Sequence, residues 1–430
     1  MHIIAQTRSS GEAAQRVTDI TTLTTACVCA YDVDGESPRA LVEKNPLARR
    51  GVCRGCYVLL EELEVKAAVL TSFREPLEIR EFPRPRLGPG ELLVRITAAG
   101  VCGSDVHMWL GEDPRTPLPM ILGHEGVGVV EEIGSPDEKK DIYGRPVRVG
   151  DPIIWDRAIV CGTCYFCAVK QLPNMCPSRW VYGIHRGCSE PPHLNGCYAE
   201  YIVLVRGTKV VSLADWSELD HALLVSAGCS GATAANAIEL ADVEIGDNVL
   251  IQGVGPLGLY LVAYARARGA NRIIAIDGVP ARLELAKRLG ADILLNLEKT
   301  TPEERREAVL SVTHGIGVDA GFEAVGRPEP ILEGLQLVRR GGAYVSVGTA
   351  VPAGTIPVDV YYHLVLKQVR LQGAWTNDTR HMIQALNVIR REPDVFGSLI
   401  THRFPLERAN EALEVMRRRE AIKAVIEPER

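Results

Sequence analysis

The stretch Asn248-Val249-Leu250-Ile251-Gln252-Gly253-Val254-Gly255-Pro256-Leu257-Gly258 decides how this chain is read. Five residues ending in an apolar run form a short buried strand. The glycines then open a helix-length segment, Leu257 to Arg268. A second buried strand, Arg272 to Asp277, follows, and it ends on a carboxylate. A lone G-x-G-x-x-G is weak, but between a strand and a helix it has a physical meaning. The glycines allow a tight turn, close approach of backbone to a pyrophosphate, and close helix–strand packing. The helix N-terminus offers unpaired N–H groups and the positive end of its dipole to that anion. Gly253, Gly255, Pro256, Leu257 and Gly258 are therefore the expected cradle for a dinucleotide. Asp277 can accept hydrogen bonds from ribose hydroxyls and would repel a 2′-phosphate, which favours NAD over NADP.

Outward from this stretch the alternation continues. Helices are expected at Pro280–Leu289, with proline near its start and Gly290 at its end, and at 302–312 and 330–340. Strands are expected near 292–295, 319–323 and 343–347. Strand–helix alternation predicts a doubly wound parallel sheet. Upstream the rhythm is different. Lys66–Leu70, Leu77–Phe82 and Leu92–Ala98 read as strands broken by Pro83, Pro85 and the Leu87-Gly88-Pro89-Gly90 turn, a β-rich pattern. The expected division is an extension over 1–64, a β-rich domain over 65–230, the coenzyme domain over 231–368, and a closing part of the β-rich domain over 369–430.

Composition agrees with a soluble α/β chain of more than one core. The 430 residues are 46% hydrophobic and 24% charged. With 48 Lys+Arg against 54 Asp+Glu the net charge is −6, which gives no electrostatic reason to expect nucleic acid. No apolar run reaches the roughly 18 residues of a membrane span. No basic run precedes the Thr-threaded patch Leu23–Ala30, so no signal peptide is read and a reducing cytoplasm is expected. In that setting, clustered cysteines point to metal before disulfides.

Two clusters carry that chemistry. Cys161, Cys164, Cys167 and Cys176 lie within sixteen residues, and two-residue spacers let one turn aim several sulfurs at one point. Four thiolates enclose Zn²⁺ tetrahedrally with no open position, which makes a structural site. Elsewhere, Cys102-Gly103-Ser104-Asp105-Val106-His107 is followed by Gly123-His124-Glu125-Gly126, and a later thiol stands in Cys229-Ser230-Gly231-Ala232-Thr233. A Cys, a His and a further Cys would leave a fourth position open, the layout of a catalytic zinc. Each piece alone is weak, since a single loop Cys is more often a small buried hydrophobe.

These pieces, with Gly196-Cys197-Tyr198-Ala199-Glu200-Tyr201, stand in the order and nearly the spacing of the zinc-dependent medium-chain alcohol dehydrogenase family, which the chain resembles from about residue 65 to 427. The resemblance implies a GroES-like catalytic domain joined to a Rossmann coenzyme domain. It implies two zinc ions per chain and NAD, with Cys102, His124 and Cys229 as ligands of the catalytic zinc. Glu125 would stand beside the metal or exchange onto it, and Asp105 would orient His124. Ser104 would contact the substrate oxygen and His107 would be the outer member of a proton relay. Arg282 would lie on the coenzyme phosphate side and Lys423 against the pyrophosphate. The implied activity moves a hydride between an alcohol and NAD, giving an aldehyde or ketone. A polyol or amino-alcohol dehydrogenase, or a non-enzymatic zinc protein of this fold, is the alternative. A homodimer or homotetramer acting on a small alcohol or carbonyl compound is implied.

Three features depart from that family, and one residue beside the site, Trp109, has two readings. Eight residues separate Cys167 from Cys176, one more than usual. Arg186 to Leu194 reads as an insertion carrying Cys188 and His193, either shaping the pocket or forming a surface loop. Trp109 is read as narrowing the pocket or as core. The first 64 residues have no counterpart. Val65 stands where such proteins start, and a GTG codon can initiate in bacteria, so translation is expected to begin there. A third zinc site from Cys27, Cys29, Cys53 and Cys56, or a docking tail, are the other readings of that segment.

Overall fold

A computed structural model describes residues 64–135 and 139–429, and these form one compact unit. The readings placed on Cys27, Cys29, Cys53, Cys56 and the start at Val65 concern the first 64 residues and lie outside the described residues or at their edge.

The N-terminal strands alternate with turns. They are β1 (Glu64–Leu70), β2 (Glu78–Pro83), β3 (Leu92–Val101), β4 (Met120–Ile121), β5 (Gly126–Ile133), β6 (Pro152–Trp155), β7 (Ala158–Ile159), β8 (Trp180–Val181), β9 (Tyr201–Leu204) and β10 (Val210–Ser212). Strands β2, β1 and β4 form a small antiparallel sheet. A larger sheet runs β10-β6-β5-β3 and is completed by two strands from the far end of the chain, β17 (Ile400–Phe404) and β18 (Lys423–Ile426), with β18 antiparallel to β3. Its apolar side chains, among them Leu92, Leu93, Ile96, Ile153 and Trp155, are almost completely buried.

The second half is the expected parallel sheet. It contains β11 (Asn248–Gln252), β12 (Arg272–Asp277), β13 (Ile293–Asn296), β14 (Val318–Glu323), β15 (Val338–Ser346) and β16 (Arg370–Gly373). Their order is β13-β12-β11-β14-β15-β16, every pair parallel. Chain order therefore reverses beside β11, and the glycine-rich turn leaves β11 at that switch point, where open α/β sheets bind ligands. Helices Pro256–Ala267, Pro280–Arg288, Pro302–Val312 and Glu329–Leu337 fall within a few residues of the expected spans. Each carries proline in its first turn, where the missing N–H costs nothing.

One expected boundary is corrected. β16, at 370–373, is the last strand of the parallel sheet, so a break at residue 368 cuts that sheet short. The helix Thr379–Arg391 also buries Met382, Ala385, Leu386 and Ile389 in the same apolar cluster as Ala232, Ala235 and Tyr260. The apolar periodicity of this helix says that it must be covered, but not by which neighbour. No helix among the described residues is long and apolar enough to cross a membrane.

Candidate metal centre and coenzyme turn

The metal centre is built from four distant pieces of chain. Cys102 directly follows β3 and caps the short helix Gly103–Trp109. The Asp105 side chain, three residues on, accepts from the Cys102 N–H at 2.8 Å, which closes the cap and fixes the thiol at the helix start. His124 and Glu125 sit on the loop between β4 and β5, both buried. Cys229 follows the turn Val225–Gly228 and opens the helix Ser230–Ala241. The ligand atoms of Cys102, His124, Glu125 and Cys229 all lie within 4.8 Å of one another.

Polar contacts hold this set. Asp105 Oδ1 lies 3.1 Å from His124 Nδ1, which leaves Nε2 facing the sulfurs, 3.3 Å from Cys229 Sγ. Asp105 Oδ2 also accepts from the Tyr198 hydroxyl at 3.2 Å. Burial opposes a charged imidazole, but the Asp105 carboxylate and the Cys102 sulfur outweigh it and raise His124 to about 9. The two neighbouring thiols are held apart in acidity: the Cys229 thiol, helped by His124, holds Cys102 well below the usual thiol range, and Cys102 together with burial holds Cys229 well above it. Burial pushes the Glu125 carboxyl up, and the paired Lys423 ammonium works against that. Glu125 Oε1 is buried with no hydrogen-bond partner. Two sulfurs, an imidazole nitrogen and an orphaned carboxylate oxygen converging in one dry spot are the donor chemistry of a zinc site.

The other expected residues are placed as follows. Ser104 Oγ is 4.0 Å from Cys102 Sγ. His107, one helical turn further on, is half-exposed and its Nδ1 meets Glu112 Oε2 at 2.6 Å. Lys423 is corrected. It was expected at the pyrophosphate but is only 2% exposed and pairs with Glu125, because β18 lies beside β3 and aims the side chain under Gly100. Of the two readings of Trp109, the core one holds. The side chain is buried in the apolar core and its Nε1 donates to Glu75 O at 2.7 Å, so it packs and does not line a pocket.

Cys161, Cys164, Cys167 and Cys176 bring their sulfurs within 4.8 Å of one another. The Cys164 N–H points at Cys161 Sγ at 3.3 Å and the Cys161 N–H at Cys176 Sγ at 3.5 Å. N–H donation from Thr163 and Cys164 brings Cys161 down to about 6, favouring the thiolate that a metal needs. The extra residue between Cys167 and Cys176 is absorbed by the turns that join them. Residues 186–194 contribute to neither cluster. Cys188 is buried in the core, and Arg186 lies over the Trp180 ring at 3.8 Å.

At the coenzyme turn, Gly253 has φ +91°, and a Cβ there would fall 2.8 Å from Val325 Cγ2. A Cβ on Gly258 would strike the Gly253 carbonyl. Gly255 caps the helix and Pro256 and Leu257 begin it. Asp277 holds the turn, accepting from Val254 N–H and Val279 N–H at 2.8 Å each. Arg282 lies over Gly255 with its Nε buried and unpartnered, a guanidinium beside the turn.

Sequence reasoning missed several contacts at the metal centre. Arg157 Nη1 donates to Cys229 Sγ at 3.1 Å, and Tyr198 backs Asp105. The one local signal was Asp156-Arg157, a charged pair directly after the apolar strand Ile153-Ile154-Trp155.

A family model described as alcohol dehydrogenase GroES-like domain matches residues 88–215, and one described as zinc-binding dehydrogenase matches 256–391. The chain is 34% identical over 365 residues to 5-exo-hydroxycamphor dehydrogenase of Pseudomonas putida, covering 84% of this chain and 98% of that protein. It is 33% identical over 323 residues to an alcohol dehydrogenase of Geobacillus stearothermophilus, covering 75% and 88%. The crystal structure of an alcohol dehydrogenase from Thermotoga maritima matches with a TM-score of 0.82 and 48% identity, covering 85% of this chain and 99% of that one. A Sinorhizobium meliloti structure, described as a zinc-binding dehydrogenase bound to NADP, matches with a TM-score of 0.74 and 26% identity, covering 85% and 100%.

Proposed function

Because this chain belongs to the zinc-binding medium-chain alcohol dehydrogenase family, we propose that it is an NAD-dependent dehydrogenase converting a CH–OH group to a carbonyl. A bound nicotinamide would supply the acceptor for a hydride from the carbinol carbon, the hydroxyl proton being released to solvent. The observation that carries this reading is the convergence of Cys102, His124, Glu125 and Cys229, with Asp105 fixing the imidazole from behind.

Zinc held there would supply a Lewis acid at the substrate oxygen, and the nicotinamide would supply the hydride acceptor. The chain's own residues do the rest. Asp105 holds His124 with Nε2 toward the cluster. Lys423 neutralises Glu125, keeping a second negative charge near the sulfurs compensated. Ser104 stands next to Cys102, placed to pass on the alcohol proton, and His107 with Glu112 faces solvent three residues further along the same helix. Asp277 at the end of β12 supports NAD over NADP by charge, since a 2′-phosphate would face its carboxylate. The four-cysteine loop would hold a second, structural zinc.

A homodimer or homotetramer is part of this reading. It is supported by the exposed Val360, Tyr361, Tyr362, Val365 and Leu366 that precede the edge strand β16. A cytoplasmic setting, which keeps the thiols reduced, fits both cysteine clusters. The test is a panel of primary, secondary and polyhydric alcohols with NAD⁺ and NADP⁺, followed by absorbance of the reduced coenzyme, with zinc analysis alongside. Turnover with NAD⁺ and two zinc ions per chain supports the proposal. A zinc-loaded protein that oxidises none of these alcohols with either coenzyme overturns it.

A further inference from the structure

Two guanidinium groups outside the metal and coenzyme sets converge on one hydroxyl. Arg157 Nη2 donates to Thr376 Oγ1 at 3.3 Å, and Arg179 Nη2 donates to the same oxygen at 2.8 Å. Through Nη1, Arg157 also touches Cys229 Sγ, so this pair begins where the metal cluster ends. Arg157 is 7% exposed, and the Nε atoms of both arginines are buried without a partner.

The nearby carboxylates are taken. Asp113 is gripped by Arg115 through two contacts of 2.8 and 2.7 Å. Asp156 accepts the Thr379 hydroxyl at 2.6 Å and the Ala158 N–H at 2.9 Å. Buried donors left without partners are costly, so two guanidinium groups side by side, each with an orphaned Nε, make a place that an anion would stabilise.

Thr376 adds an independent sign. It is β-branched yet holds φ +53°, a conformation such residues rarely adopt. Asn236 Nδ2 fixes it there through the Thr376 carbonyl at 2.9 Å. Strain of this kind persists where neighbouring groups hold it, and such places cluster at binding sites. Next to it Trp375 is 41% exposed, with the Arg115 guanidinium 5.2 Å from its ring centre.

We infer that Arg157 and Arg179 bind an oxyanion group, a carboxylate or a phosphate, carried by the substrate close to its carbinol carbon. This rests on the dehydrogenase reading and narrows it. The planar forks of two arginines suit a carboxylate or phosphate, and a neutral diol would leave both unpaired.

The test compares matched pairs with the zinc-loaded protein and each coenzyme. The pairs are 2-hydroxypropanoate against 1,2-propanediol, 3-hydroxybutanoate against 1,3-butanediol, and glycerol 3-phosphate against glycerol. The Arg179 side chain donates to Thr376 and, unlike Arg157, not to Cys229, so Arg179→Met is the chosen variant, with Arg179→Lys as the conservative one. The expected result is a preference of about tenfold or more for an anionic member, expressed mainly in KM. Arg179→Met abolishes that preference and Arg179→Lys recovers part of it. The acid and phosphate arms separate the two sources of the anion. Calorimetric binding of 2-hydroxypropanoate and glycerol 3-phosphate is measured in parallel. Turnover of the diols without preference, and unaltered in ratio by Arg179→Met, overturns the pocket and leaves the dehydrogenase reading standing. Anion binding lost in Arg179→Met, with no turnover of any compound, keeps the pocket and removes the dehydrogenase reading. Neither binding nor turnover overturns both.

Discussion

Lys423 and Glu125, 298 residues apart, form an ion pair in which both side chains are almost wholly buried, directly beneath the cysteine–histidine cluster. Such a pair gives little net stability when intact, but breaking it leaves a charge stranded in a dry interior. Lys423→Met is therefore expected to destabilise the protein by about 3–5 kcal/mol. The double variant Lys423→Met with Glu125→Gln should recover much of that loss. Denaturant midpoints of the two variants check this. Equal midpoints would show that Glu125 is not left charged.

Asp277 has two tasks, holding the Val254 and Val279 N–H groups and facing the expected ribose. Asp277→Ser should lower kcat/KM for NAD⁺ by about 10- to 100-fold, the scale of a lost charge-assisted hydrogen bond. The value for NADP⁺ should fall less, because a repelling carboxylate has gone. The ratio of the two coenzymes in initial-rate assays decides it, and an unaltered ratio would remove Asp277 from coenzyme selection.

His185 is pushed down to about 4, first by burial and then by the Arg115 and Arg179 charges, with Asp113 pulling the other way and Arg157 adding to the push. Between that value and the ordinary 6.5, the unfolded chain binds a proton that the folded chain does not. Stability from this group is thus complete above the ordinary value, declines as pH falls toward 4, and loses nothing further below. His185→Gln should flatten the melting-temperature profile across that window. An identical slope in both proteins would place the acid sensitivity elsewhere.

Cys176→Ser breaks one corner of the four-thiol cluster. Zinc content should drop from two ions per chain to about one, and the melting temperature should fall, since metal binding energy is folding energy. Two ions retained in the purified variant would show that Cys176 is not needed to hold either.

What the sequence made legible was local. The spacing of Cys161, Cys164 and Cys167 and the run Gly253–Gly258 lie within one turn of chain, where geometry follows from residue type. The strand–helix alternation likewise gave β11 to β14 to within about a residue, whereas β15 begins at Val338, five residues before the expected strand and inside the expected helix. Contacts across long separations were another matter. Lys423 fell at a plausible coenzyme position until β18 was seen to pair with β3. Arg157 and Thr376, 219 residues apart, meet only because the loop after β16 returns beside β7. The boundary near residue 368 failed for the same reason, since nothing in Arg370–Gly373 states which sheet will accept it. Trp109 stands close in sequence to the site, yet apolar burial decided its place.

Cys229 ends a turn held against the β-rich sheet and begins the helix that packs on Pro256–Ala267, whose own start is the glycine-rich turn. One sulfur is thereby mounted on the joint itself. A shift of that helix against the β-rich sheet would carry the Cys229 sulfur relative to Cys102 and His124, so the closeness of the ligand set depends on how the two sheets are held together.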